Sequence, residues 1–430
     1  MKNIGAIRHM LHSGELDDKL LQLCVNPSDL PQYRERIYRI LDAFVMRFGS
    51  NREVAIFSAP GRTELGGNHT DHQRGHVLAA SVNLDILAVV AKREDRKILV
   101  QSKGHPLDEI SLDDLDPLPK SQEVHADQLI RGVVARFHQL GVSMETGFDA
   151  YTISQVIKGS GLSSSAAFEI LIGNICNALY AGNRFSSEKL AEIGQYAENV
   201  YYHKPCGLMD QMASSVGGVV AVDFRNEAAV QVKHIDFDFL QTGYTMCIVD
   251  TGGSHADLTE EYAAIPAEMG SVAAYFGKKV LSEVSEDAVH QNLRKLRKAC
   301  GDRAVLRAMH FYKEDIRAQN ECDALERGDF QAFLQLVQRS GESSYCQLQN
   351  VYSAQTPQQQ PVSIALAVGS SVLGGRGAIR VHGGGFGGTI QAFVPTVLLT
   401  EFCTAMEEAL GEGCCHILQI RPIGGTTILI

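Results

Sequence analysis

Three short stretches of this chain hold residues suited to chemistry. GSGLSSSAAFEI, residues 159 to 170, sets two glycines and three serines directly before an apolar run. The run reads as a helix, and the N–H groups of a helix's first turn lack intrahelical partners and carry partial positive charge. Gly159 and Gly161 permit close backbone approach, and the hydroxyls of Ser160, Ser163, Ser164 and Ser165 donate to anions. A phosphate site and an ordinary helix cap are both open on this spacing. It is not a Walker loop, because no GK[ST] follows.

SAPGRTELGGNHTDHQRGHVLAAS, residues 58 to 81, crowds Arg62, Glu64, Asn68, His69, Asp71 and His72 among glycines. Such polar density on a compliant backbone suits a polyhydroxylated ligand. KPCGLMDQMASSVGG, residues 204 to 218, places Asp210 between Leu208, Met209 and Met212. A carboxylate in apolar surroundings needs a partner or a task. A lone aspartate of this kind reads as structural; beside the other two stretches it reads as functional.

The elements that must position these residues mix strand and helix. LDDKLLQLC and YRERIYRILDAFVMRFG are amphipathic and helical, separated by NPSDLP. EVAIFSAPGR reads as a strand that stops at Pro-Gly, with a loop after it. DILAVVAKRED, KILVQSK and FDAYTISQVI read as further strands, and FDAYTISQVI delivers the chain to the serine loop. ADQLIRGVVARFHQLG, SAAFEILIGNICNALYAG and SEKLAEIGQYAENVYY read as helices. A strand (YTMCIVDTG), four helical stretches, a strand–glycine–strand segment (IRVHGGGFGGTIQAFVP) and a last strand (HILQIRPIGGTTIL) complete the chain. There is no regular βαβα rhythm, so the fold class is α+β. The divisions expected are an N-terminal helical extension at 1–45 and domains at 46–240 and 241–430.

Composition narrows the function classes. The 430 residues carry a formal charge of -11, which argues against a nucleic-acid surface. The longest apolar run in the first hundred residues, Ile86 to Ala91, is too short for a bilayer, and no signal-peptide pattern opens the chain. The ten cysteines are scattered without zinc spacing and read as reduced thiols, so the expectation is a soluble cytoplasmic protein.

These stretches resemble the signature motifs of the GHMP small-molecule kinases, and within them the galactokinases. GRTELGGNHTDH is similar to a first motif of the form G-R-x-N-L-I-G-E-H-x-D-Y. GSGLSSSAA resembles the family's phosphate loop, PCGLMDQ the segment with its catalytic aspartate, and VHGGGFGGTI its third motif. LDDLDPLP, ADQLIRGVV, AENVYY, TEEY, RAMHFYKEDIRA and ALERGDFQAF extend the likeness, in the family's order, from about residue 45 to about residue 425.

The resemblance implies a two-domain α+β fold, with mixed sheets packed on helices and the active site in the cleft between the domains. It implies ATP- and Mg²⁺-dependent phosphorylation of a hexose at its anomeric hydroxyl, with galactose as the first candidate. Asp210 would act as base and Arg62 would lie beside it. The loop Gly159, Ser160, Gly161, Leu162, Ser163, Ser164, Ser165 and Ala166 would wrap the ATP phosphates. Ser164 or Ser165 with Glu198 would hold Mg²⁺. Asn68, His69, Asp71, Gly207 and Tyr262 would contact the sugar, and Gly383, Gly384, Gly385 and Gly387 would line the site with backbone. Beside these roles stand plainer ones: Glu198 on a helix surface, Tyr262 in the core, His72 and His382 as supports. The expected partners are the sugar and ATP, with no nucleic acid and no membrane; monomer and homodimer both remain open.

The motif departs from the family at several positions. Asn68 stands where galactokinases have glutamate, His72 where they have tyrosine, Glu64 for asparagine and Gly67 for isoleucine. DHQRG is also similar to the D-H-Q-G-G of galacturonate kinases. Galacturonate, arabinose and GalNAc 1-kinases are therefore alternatives. A non-catalytic sugar sensor is a second alternative, set against the intact GLSSSAA, Arg62 and Asp210.

Overall fold

A computed structural model describes residues 1–117, 125–157, 159, 161–204, 206–226, 230–253 and 258–430. Among the described residues, thirteen strands form two sheets. They are β1 (Lys2–Asn3), β2 (Glu53–Gly66), β3 (His76–Lys92), β4 (Lys97–Ser102), β5 (Leu107–Ser111), β6 (Phe148–Ser154), β7 (Val219–Asp223), β8 (Gln231–Ile235), β9 (Tyr244–Asp250), β10 (Ala378–Val381), β11 (Thr389–Pro395), β12 (Cys415–Leu418) and β13 (Thr426–Leu429). The larger sheet runs β1-β2-β3-β6-β4-β5, with β13 on β2 and the β7–β8 pair on β3. It is mixed, since β4 and β6 run parallel while the other pairs are antiparallel. The second sheet runs β10-β11-β9-β12 and is antiparallel.

The β2–β3 pair forms the spine, and its alternation builds two cores. Val54, Ile56, Leu87 and Val89 face one layer of helices, where they meet Ile37, Leu41 and Phe44. Ala55, Phe57, Ala88 and Val90 face the other, where they meet Ile170 and Leu171 of the Ser164–Tyr180 helix. A sheet covered on both faces is apolar on both faces. The helices Ile4–Ser13, Asp17–Cys24 and Leu30–Phe48 therefore form a structural layer of the large sheet.

A buried ion cluster fastens this layer. Asp85 of β3 accepts from Tyr33, from Arg36 at 2.8 Å, from Ser58 at 2.6 Å and from Arg421 at 3.1 Å. Asp85 and Arg421 have no exposed side-chain surface.

Several expectations change here. The first strand does not stop at Pro60-Gly61. It continues to Gly66, with its register shifting between Pro60 and Arg62, where a proline without an N–H is tolerated. HVLAAS belongs to β3 rather than to a loop. HILQIRPIGGTTIL makes two strands, and the second leaves the 241–430 unit: β13 pairs with β2 and buries Ile428 and Leu429 under the N-terminal helices. No described helix is long and apolar enough to cross a membrane.

Candidate active site

The site lies where the N-terminus of the Ser164–Tyr180 helix, the middle of β2 and the start of the Met209–Val216 helix converge. Arg62 projects from β2, and its Nε donates to Asp210 Oδ1 at 2.6 Å. Its other end donates to the carbonyl of Gly161, while its backbone N–H donates to the carbonyl of Leu162 at 3.0 Å. The arginine thus ties the aspartate to the serine loop. Burial pushes the Asp210 carboxyl up, but the Arg62 charge, hydrogen bonds from Arg62 and Ser163, and the Lys204 charge hold it below its ordinary value. Asp210 is ionised at neutral pH, with a quarter of its side chain exposed.

Ser163 has a positive φ of 51° and makes no side-chain cap to its own helix, consistent with a hydroxyl turned to Asp210. Ser165 Oγ donates to Glu198 Oε1 at 3.0 Å, Lys204 Nζ to the same oxygen at 2.9 Å, and Gln211 Nε2 to Glu198 Oε2 at 2.8 Å. Glu198 is 1 % exposed, not a surface helix residue. Gln211 also donates to Glu169 at 2.9 Å, whose carboxyl is raised by burial and by the Glu198 charge. Gly159 and Ser164 lie in the loop and first helical turn, Ala166 is buried behind them, and Ser160 lies outside the described residues.

Asp71 opens a short helical turn after β2. Burial, with the Asp210 charge adding to it, raises its carboxyl to about 6. Gly207 lies against it, and a Cβ at 207 would overlap the Asp71 carboxylate. His69 approaches the carbonyl of Gly384 through Nε2 at 3.1 Å, and burial lowers its imidazole to about 4, so it is neutral at pH 7. Tyr262 donates to the carbonyl of Gly385 at 2.8 Å and packs edge-on to Phe386. A Cβ on Gly384 would strike the Tyr262 ring, so the close approach requires glycine. Gly383 lies beside Gly161, bringing the third glycine loop against the serine loop, and Gly387 lies further along it against Gly253. His382 bridges Thr63 and Thr389 at 3.0 and 3.1 Å, a support role.

Asn68 is held inside the protein. It is 1 % exposed, and its amide is spent inside the protein. Nδ2 donates to Glu64 at 3.0 Å and to the Gly383 carbonyl at 2.8 Å, and Oδ1 accepts from Asn350 at 3.0 Å. Glu64 in turn pairs with buried Arg380 of β10 at 2.5 Å. The side chain at 68 joins segments of the two sheets. Lys204 was missed: its charge sits inside the KPCGLMDQ segment, but only the fold brings it onto Glu198.

The chain is similar to known proteins over most of its length. A galactokinase galactose-binding signature matches residues 42–92, and a GHMP kinase N-terminal domain matches residues 128–218. A galactokinase of Glaesserella parasuis is 30 % identical over 362 residues, covering 82 % of this chain and 88 % of that protein. The chain belongs to the galactokinase family. A galactokinase of Mannheimia succiniciproducens is 29 % identical over 364 residues, with 83 % and 89 % covered. The solved galactokinase of Lactococcus lactis, complexed with galactose, has a TM-score of 0.77 at 24 % identity, covering 91 % of this chain and 99 % of that one. The mevalonate kinase of Methanococcus jannaschii has a TM-score of 0.60 at 13 % identity, covering 86 % and 98 %. These two likenesses concern the fold, which is that of the GHMP kinases. The galactokinase signature spans β2, the Asp71 turn and β3, and so covers Arg62, the loop with His69, and Asp71.

Proposed function

We propose that this protein transfers the terminal phosphoryl group of ATP to the anomeric hydroxyl of galactose. The observation that carries the reading is the Arg62–Asp210 pair, an ionised carboxylate beside a fixed cation at the mouth of a serine-rich helix start. The reacting cleft lies between the units proposed as residues 46–240 and 241–430, the last strand excepted.

Phosphoryl transfer asks mainly for positioning and charge stabilisation, because the transition state is loose. Asp210 accepts a hydrogen bond from the sugar hydroxyl, orients it for in-line attack and takes its proton as the bond forms. Arg62 keeps Asp210 ionised and offsets charge on the moving group. The backbone N–H groups of Ser164 and Ser165, with the partial charge of the helix start, hold phosphate oxygens. His69, Asp71, Gly207 and Tyr262 line the sugar side.

The donor set also fits Mg²⁺, a hard cation that takes carboxylate and hydroxyl oxygens. Glu198 and Ser165, already 3.0 Å apart, with Ser164 next to them, would hold it. Bound there, the ion would neutralise phosphate charge.

Two predictions arise from the sugar side. Gly207→Ala should displace Asp71 and lower kcat/KM by up to about a hundredfold, the scale of a misplaced contact; steady-state kinetics on galactose read it. Asp71 titrates at about 6. Sugar affinity should therefore be full above that pH and fall as the carboxylate protonates below it, as calorimetric titration from pH 5 to 8 would register.

The function is tested by ADP release with Mg-ATP against galactose, galacturonate, GalNAc, arabinose and glucose. Turnover on galactose above the others is the expected result. Preference for galacturonate would overturn the choice of sugar, and galactose binding without ADP would overturn the kinase.

A further inference from the structure

Cysteines that are scattered in the chain converge in the second sheet. Cys247 lies on β9 and Cys415 on β12. Cys415 pairs with Val249 and Ile417 with Cys247, so the two cysteines lie on one face, one residue pair apart. The Leu399–Leu410 helix covers that face through Phe402 and Met406, and it brings Cys403 over the pair. The three sulfurs all lie within 4.8 Å of one another. Cys247 is buried, while Cys403 and Cys415 are partly exposed, so the cluster is reachable from solvent. Cys414 stands next to it, its sulfur 3.9 Å from that of Cys415.

We propose that Cys247, Cys403 and Cys415 form a three-thiolate site for a soft monovalent cation of the Cu(I) class, separate from the kinase cleft. With metal–sulfur bonds of about 2.3 Å, the sulfurs of a planar trigonal site lie about 4.0 Å apart, which small side-chain rotations reach from this arrangement. Structural zinc takes four ligands in a tetrahedron. Among the described residues, two sets of ligand atoms are mutually close: Cys322, Asp323 and Glu326, with a single sulfur, and these three sulfurs, with no imidazole or carboxylate among them and with Cys414 outside the set. Soft thiolates and a three-coordinate geometry favour Cu(I). Each thiol releases its proton to solvent on binding, and the metal keeps its oxidation state. The ligands come from three separate elements, which is why linear spacing gave no sign of them.

The test is a titration of the full, reduced, metal-free protein with Cu(I) against a chromogenic Cu(I) chelator under argon. The protein should withhold one Cu(I) per chain. Cys403→Ser and Cys415→Ser, at partly exposed positions, should each lose that uptake while keeping galactose-dependent ADP release in the unloaded protein. Cys346→Ser, at an exposed cysteine outside the cluster, should keep the uptake. X-ray absorption at the copper edge should find three sulfur neighbours. Uptake unchanged in both cluster variants, no uptake by the parent, or fewer than three sulfurs on the metal would overturn the site. So would a disulfide among the three in the protein as isolated.

Discussion

Asp210→Asn should lower kcat on galactose by roughly a hundred- to ten-thousandfold, the range for losing a positioned base. The substitution keeps the shape of the side chain and removes its charge. Arg62 would then face a neutral amide in place of the carboxylate it now meets at 2.6 Å. Sugar binding should survive, because His69, Asp71 and the glycine loop are untouched, so the loss should fall in kcat rather than KM. One further shift distinguishes this account from simple damage. The Asp210 charge helps to raise the Asp71 carboxyl. Removing it should move the acid limb of sugar affinity to lower pH, a change that a merely disordered site would not produce. Calorimetry on the variant across pH measures both effects together.

The largest stability effect should come from Asp85→Asn, far from the chemistry. Asp85 and Arg421 are both wholly buried, and Arg36 and Tyr33 of the Leu30–Phe48 helix close on the same carboxylate. Removing one partner of a buried charge pair costs about 3–5 kcal/mol, because the other is left uncompensated. Here it would loosen β3, the N-terminal helix layer and the C-terminal tail together. A marked fall in the denaturant midpoint should report it. The exposed Arg39–Glu35 pair is the natural control, and breaking it should change little. Burial pushes the Asp85 carboxyl up, but Arg36, Arg421, Ser58 and Tyr33 together hold it below its unfolded value. Its contribution is therefore full above the unfolded pKa of about 3.9 and is lost as pH falls through the folded value.

Much of the proposed catalytic pair was legible in the sequence. Arg62 and Asp210 sit in stretches that resemble family motifs, and the structure brings them together. The direction of a side chain was not legible. Asn68 and His69 are neighbours in one loop and both reach the glycine loop, yet Asn68 alone also meets Glu64 and Asn350. The partners of Asn68 come from residues 64, 350 and 383, which only the fold brings together. Gln211 meets Glu198 because the Met209–Val216 helix packs against the segment that carries Glu198, while Lys204 reaches it from the loop six residues on. The part played by the first fifty residues was hidden for the same reason. Their amphipathic helices announce an apolar face, but the sheet they cover is revealed only by the alternation of β2 and β3. The three clustered cysteines lie on two strands and a helix, so spacing carried no signal.

The most direct test of the central claim is the product itself. Protein, Mg-ATP and galactose are incubated, and the phosphorylated sugar is examined by phosphorus and proton NMR. The account predicts phosphate coupled to the anomeric proton, in step with ADP formed, and the same product roughly a hundred- to ten-thousandfold more slowly from Asp210→Asn. Phosphate on any other carbon, or the same product from Asp210→Asn at the parent rate, would contradict it.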